Sequence, residues 1–396
     1  MSERPLRIAI VVGEHSGDQL GFKLMQALRA QADGPIEFMG VAGPAMAREG
    51  MQSLFPLDDI AVMGFAAVIG RFRTIYRRAW QVIDAVVANR PDGLVIIDSP
   101  DFTHAVAKRV RKRLPDLPII NYVSPSVWAW RPGRARKMRA YVDHVLALLP
   151  FEPDAYRRLD GPPCSYVGHP LMERLDQLRP NAEEMRIRDG ERPLILVLPG
   201  SRSSEVALLT DIFGATLQHL ADIIGPFDAV LPTVPRRAER LREATASWAL
   251  TPRIVIEEAE KLAAFRRARG ALAASGTVTL ELALSQVPMI GAYRFPAWEA
   301  FLARRLIKAP FFLLPNLILD RRAIPELFQE EVTPDRLAAT FAPLLGETRA
   351  RAEQLAAFAE IDRRMQVVGE TPSQRAARIV IETIKGGRSF RPAISE

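Results

Sequence analysis

Sulfur chemistry is nearly absent from this chain: its 396 residues include one cysteine, Cys164. A single thiol forms no intramolecular disulfide and no cysteine-built metal site, which favours a reducing compartment. Long apolar runs are missing as well. No stretch reaches the roughly 18 residues a transmembrane helix needs. The first apolar run, residues 8–12, is too short for a signal-peptide core and has no small-residue cleavage site after it. A cytoplasmic protein is expected. The second half contains no aspartate-x-aspartate motif, so no metal site is expected either.

What remains is an ordinary globular balance, 48 % hydrophobic and 25 % charged, with a net charge of +7. The length exceeds what one hydrophobic core usually supports, so two domains are expected. The basic excess suits polyanions: nucleic acid, anionic lipid or phosphorylated small molecules. It equally suits a basic protein with no special partner.

Short apolar runs alternate with helical patterns. Residues 7–12, 36–41, 93–98, 118–123 and 144–149 read as strands, with helices over 19–31 and around 105–113. A polar stretch broken by five prolines, residues 160–193, reads as a linker. The alternation then resumes, with strands at 193–198, 229–232, 254–257, 271–274 and 288–293. Helices are expected at 205–224, 236–248 and 278–285, and closing helices at 333–345, 349–368 and 373–384. This predicts an α/β fold of two Rossmann-like domains, residues 1–170 and 185–364, facing across a cleft, with ligands at the carboxyl ends of parallel strands.

Five segments carry candidate chemistry. GEHSGD (13–18) follows the first strand. Its glycines permit a tight turn, and Ser16 or Asp18 can cap the next helix. Asp98 ends the strand GLVIID, where a carboxylate is placed to act as a general base; Asp101, soon after, suits a helix cap as well as a ligand. SPSVWAWR (124–131) puts Trp128 and Trp130 before a basic cluster, either as core packing or as a wall for a sugar or acyl chain. LPGSR (198–202) offers a turn at Gly200 and Ser201 with the guanidinium fork of Arg202 matched to phosphate. ASGT (274–277) opens a helix whose amides suit phosphate, and Glu281 lies one turn on, able to accept from ribose hydroxyls. LPN (314–316) and PELFQ (325–329) read as polar loops.

Taken in this order, the segments resemble the lipid-A-disaccharide synthase family, and the likeness runs from the first strand to about Gln329. The resemblance implies a glycosyltransferase-B fold and no cofactor. It implies transfer of 2,3-diacylglucosamine from UDP-2,3-diacylglucosamine to 2,3-diacylglucosamine 1-phosphate, with release of UDP. Asp98 matches the family's essential aspartate. Glu14, Ser16, Asp18, Ser124, Trp128 and Arg131 fall on the substrate side. Gly200, Ser201, Arg202, Ser275, Gly276, Thr277, Glu281, Asn316 and Gln329 fall on the UDP side. The C-terminal helix, about 365–396, is expected to return to the first domain. The first motif departs from the family in carrying His15 where alanine is usual.

Acylated substrates imply work at an anionic membrane surface, with peripheral association at the inner membrane; a homodimer is compatible with this. Two apolar-basic segments suit such a face. One is residues 62–69 followed by Arg71, Arg73, Arg77 and Arg78. The other is residues 295–314, with Trp298, Phe301, Phe311 and Phe312 among Arg304, Arg305 and Lys308. A core helix with a solvated basic side is the plainer alternative. Rival readings are a soluble UDP-N-acetylglucosamine 2-epimerase, a non-catalytic sugar-nucleotide binder, and a nucleic-acid binder. The last is disfavoured because the cations are scattered and the aromatics fit no RNA-binding pattern, so no nucleic-acid partner is expected.

Overall fold

The computed structural model describes residues 4–61, 65–200, 202–296 and 309–386. The chain divides into two compact units, residues 1–173 with 367–396, and residues 174–366.

The first unit is built on six parallel strands: β1 (Leu6–Val12), β2 (Ile36–Val41), β3 (Gly93–Ile97), β4 (Ile119–Tyr122), β5 (His144–Ala147) and β6 (Cys164–Tyr166). Their order is β2-β1-β3-β4-β5-β6. Strands β3 and β4 are buried along their whole length, as a sheet covered on both faces requires. The helices are α1 (His15–Gln31), α2 (Pro44–Arg48), α3 (Phe65–Asn89), α4 (Pro100–Arg113), α5 (Gly133–Met138) and α6 (Glu152–Arg158).

The second unit repeats the plan. After α7 (Leu175–Leu178) and α8 (Ala182–Arg188) come β7 (Leu194–Leu198), α9 (Ser203–Ile224), β8 (Asp228–Pro232), α10 (Pro235–Thr245), β9 (Arg253–Val255), α11 (Glu258–Arg267), β10 (Gly270–Ala274), α12 (Val278–Leu284) and β11 (Met289–Tyr293). Then follow α13 (Leu314–Leu319), β12 (Glu326–Phe328), α14 (Pro334–Leu345) and α15 (Arg349–Met365). The parallel sheet runs β12-β11-β10-β7-β8-β9. Each unit has its own apolar core. The last helix, α16 (Pro372–Gly386), belongs to the first unit and packs on α1, burying Ala376, Ala377, Ile379 and Val380.

In each sheet the strand order reverses once. The reversal falls between β1 and β3 in the first unit and between β10 and β7 in the second. Such switch points part the loops at the carboxyl ends of the strands and leave room for a ligand.

Three expectations need correction. Residues 160–193 are not a bare linker: they hold β6, a 3-10 turn (Pro170–Arg174), α7 and α8. The prolines sit between these short elements, so composition hid them. LPN opens α13 rather than a loop, because Pro315 lies in the first turn, where its missing N–H costs nothing. PELFQ contains β12, an edge strand of three residues.

Candidate functional site

One candidate site lies in the first unit, at the β1/β3 switch point. Val12 pairs with Ile97, so Gly13 and Asp98 leave the sheet side by side. A side chain at position 13 would collide with Ser99, since a Cβ there falls 2.1 Å from the Ser99 Cβ, and glycine is therefore required. Asp98 and Ser99 both adopt left-handed backbone, with φ of 57° and 42°. Two successive strained residues at a strand end are a cost that structures retain mainly where function needs it. The Asp98 carboxylate is held at both oxygens. Ser16 Oγ donates to Oδ2 at 2.9 Å, and the Ser99 amide donates to Oδ1 at 2.8 Å. Glu14 stands near. Burial, followed by the Asp98 charge, raises its pKa, while His15 opposes the shift. His15 itself lies 3.1 Å from Asp58 Oδ1.

Asp18 does a different job from the one expected. Its side chain is 2 % exposed and accepts from the amides of Gly43, Ala45 and Met46 at 2.7–3.1 Å. It caps α2, and all of its capacity serves the fold. Nor does Ser16 or Asp18 cap α1, which begins earlier than periodicity suggested, with Glu14 at its N-cap.

The segment after β4 is anchored to α6. Ser124 is buried against Pro125 O and the Tyr156 hydroxyl. Trp128 Nε1 donates to Glu152 Oε1 at 3.2 Å, and its ring meets Phe151 edge-to-face. Glu152 is buried, and desolvation pushes its pKa up to about 7 despite donors from Leu149 N and Trp128. Trp128 and Ser124 thus hold this segment against α6. Trp130, 41 % exposed, with Arg131 4.1 Å above its ring, is the side of this segment open to a ligand.

The second unit has a cleft of about 400 Å³ at the β10/β7 switch point. It brings together Gly200, Arg202, Ser275, Gly276, Thr277 and Glu281; Ser201 lies outside the described residues. Gly200 has φ of 109°, and a Cβ on it would strike the Glu205 carboxylate at 2.4 Å. Glu205 is buried and accepts from Arg202 N at 3.2 Å and Arg202 Nη1 at 3.0 Å, which fixes the entry to α9. Ser275 Oγ donates to Phe312 O at 2.9 Å. Both Glu281 oxygens lie 3.3 Å from Lys261 Nζ.

Asn316 and Gln329 are not in this cleft. Asn316 is fully buried; it donates to Ile324 O and Glu326 and accepts from the amides of Ala323 and Ile324. Gln329 is buried with its amide spent on the Phe295 backbone. Both tie the chain around β12 together. Sequence reasoning missed Glu205, Arg237 and Lys261, which also line the cleft. Glu205 and Lys261 could have been flagged as helix-borne charges close behind strand ends; nothing in the four arginines at 236, 237, 240 and 242 singled out one. Among the described residues, no three His, Cys, Asp or Glu side chains are grouped to hold a metal ion.

A family model described as lipid-A-disaccharide synthetase matches residues 8–380. The chain belongs to that family. Among its relatives, a lipid-A-disaccharide synthase of Nitrobacter hamburgensis is 55 % identical over 382 residues, covering 96 % of each chain. One from Bradyrhizobium diazoefficiens is 52 % identical, covering 96 % of this chain and 97 % of the relative. Solved structures share the family's fold at low identity. MurG of Acinetobacter baumannii superposes with a TM-score of 0.60 at 13 % identity, covering 96 % of this chain and all of the other. The UDP-GlcNAc 2-epimerase of Neisseria meningitidis, bound to UDP-GlcNAc, gives 0.60 at 11 %, with the same coverage.

Proposed function

We propose that the chain transfers 2,3-diacylglucosamine from UDP-2,3-diacylglucosamine to the 6-hydroxyl of 2,3-diacylglucosamine 1-phosphate, with inversion and release of UDP. The observation that carries this reading is the likeness to lipid-A-disaccharide synthases at above 50 % identity, which spans nearly the whole of both chains. Asp98 is the general base in this reading. Its carboxylate is oriented by two donors at a switch point and needs only a hydroxyl within reach. Arg202 and the turn amides around Ser275–Thr277 stabilise the charge that grows on the departing diphosphate. Glu281, set by Lys261, takes the ribose hydroxyls.

Acylated substrates place the reaction at a bilayer surface, and α3 supports a peripheral contact there. Phe72 and Tyr76 are 61 % and 51 % exposed and stack at 6.2 Å, with Arg73 and Arg77 exposed one position on from each. Arg78 is not part of that face, since it pairs with Asp59 and lies over Phe55. Arg71 donates to Asp58 O. Val62 to Gly64, Trp298, Phe301, Arg304, Arg305 and Lys308 lie outside the described residues. No helix among the described residues is long and apolar enough to cross a membrane.

The test is UDP release from the acylated donor in detergent micelles with EDTA, with and without acceptor. Acceptor-dependent release with a disaccharide product supports the reading. No UDP, even with magnesium restored, overturns it and directs attention to unacylated UDP-sugars.

A further inference from the structure

The segment that leaves β4 is bent at both ends. Asp98 N donates to Tyr122 O at 3.2 Å, so the segment parts from the sheet beside the carboxylate proposed above as general base. Val123, its first residue, has φ of 73°, and Arg131, at its far end, has φ of 53°. A β-branched residue in left-handed backbone is an outlier, and such strain persists where the surrounding structure over-determines it. Between the two bends the chain closes on itself, since the amides of Ala129 and Trp130 both donate to Ser126 O, at 3.0 and 3.2 Å. Trp128, Trp130 and Arg131 therefore belong to one compact stretch.

Glu152 holds that stretch from α6. Its own place is fixed by a closed turn at the start of the helix, where its amide donates to Leu149 O at 3.2 Å and its Oε2 accepts from Leu149 N at 3.0 Å. The other oxygen, Oε1, accepts from Trp128 Nε1 at 3.2 Å. Burial raises the pKa of this carboxyl to about 7, a desolvation cost that the two donors offset. Two residues beyond Trp128, the exposed Trp130 ring carries the guanidinium of the exposed Arg131 over it at 4.1 Å. An open indole surface and a phosphate-matched fork thus sit together.

We infer that Glu152 is a positioning residue for the acceptor: by gripping Trp128 it fixes the turn that presents Trp130 and Arg131 to the sugar phosphate whose hydroxyl Asp98 deprotonates. The inference rests on the reading of Asp98 as base. Glu152 touches no substrate in this account and acts only through the turn.

The experiment is steady-state kinetics of the full chain with acylated donor and acceptor in mixed micelles, with calorimetric UDP binding and thermal melting. The variants are Glu152→Gln, Trp128→Phe, Arg131→Met and the double variant Glu152→Gln with Arg131→Met. Glu152→Gln keeps the volume but sets an amide donor against one of the two N–H groups. It is expected to raise the acceptor KM about tenfold with kcat and UDP affinity near wild type. Trp128→Phe, which removes only the indole N–H, should do the same. Arg131→Met should also raise the acceptor KM, and adding Glu152→Gln to it should cost no more than about twofold further, because both changes act on one contact. An unchanged acceptor KM in Glu152→Gln or in Arg131→Met, a loss confined to kcat, or fully additive losses in the double variant overturns the inference. If Glu152→Gln melts early, Trp128→Phe decides, and a wild-type acceptor KM there overturns it. A wild-type chain that transfers nothing to the acceptor overturns the functional reading itself, which is a separate outcome.

Discussion

Ser16 Oγ donates to Asp98 Oδ2 at 2.9 Å, joining the first turn of α1 to the end of β3 across the switch point of the first sheet. The bond aims a carboxylate that its own left-handed backbone already turns away from the strand. Asp98→Asn should therefore lower kcat by about 10²–10⁴-fold, the range for loss of a general base, while UDP affinity stays intact. Ser16→Ala, which leaves the Ser99 donor in place, should cost about tenfold or less. Single-turnover rates with calorimetric UDP binding check both, and near-normal turnover in Asp98→Asn removes Asp98 from the role.

Asp18 should behave as a fold residue. Asp18→Ala leaves three buried amides without their acceptor. The expected loss is about 3 kcal/mol of stability, since bonds to a charged group are worth about 1.5–3 kcal/mol each and are not additive. Urea unfolding measures it, and at low temperature the folded variant should keep the wild-type KM for both substrates.

The nucleotide cleft predicts a contrast. Glu281→Gln should weaken UDP and uridine alike, by about tenfold, because a ribose contact is common to both. Lys261→Met should do the same to a smaller degree by freeing the carboxylate it holds. A loss confined to UDP would move Glu281 from the ribose to the phosphates.

Stability should fall steeply in acid. His104 is buried against the Tyr141 hydroxyl and His144 lies beside Ser165 Oγ. Burial lowers each pKa to about 4 from 6.5, so both are neutral in the fold. Below pH 6.5 the unfolded chain takes up protons that the fold refuses, so stability present at pH 7 is lost as pH falls toward 4. The loss is on the order of a few kcal/mol for the two together. Melting temperature against pH should show it, and His104→Gln should flatten the slope.

Vesicle binding should depend on α3. Arg73→Glu with Arg77→Glu should weaken binding to anionic vesicles strongly and make the residue of it insensitive to salt, because exposed cations within a Debye length of the surface contribute about 1 kcal/mol each. Sedimentation with lipid reads this directly. Binding indifferent to those two charges would sink the α3 contact.

Much of this architecture was legible as apolar runs, because strands buried on both faces have no polar alternation to confuse them: residues 93–98 and 118–123 announced β3 and β4. The position of Asp98 at the end of β3 was legible for the same reason, being the first charge after a run of four apolar residues. What the sequence left open has a common cause. Asp18, Asn316 and Gln329 are polar residues in loops or first turns, and sequence alone does not say whether their hydrogen bonds go to ligand or to backbone. Arg237 was lost among neighbours of its own kind, since only its partial burial sets it apart from the exposed Arg236 and Arg240.

The return of α16 to the first unit sets an order of assembly. The core of that unit is incomplete without Ala376, Ala377, Ile379 and Val380, which are translated after every residue of the second unit. A ribosome that has joined residue 366 has translated every residue of the second unit, while α1 still lacks the helix that covers it. The unit made first is completed last, and during synthesis it is the amino-terminal half, against the usual order, that offers apolar surface to chaperones.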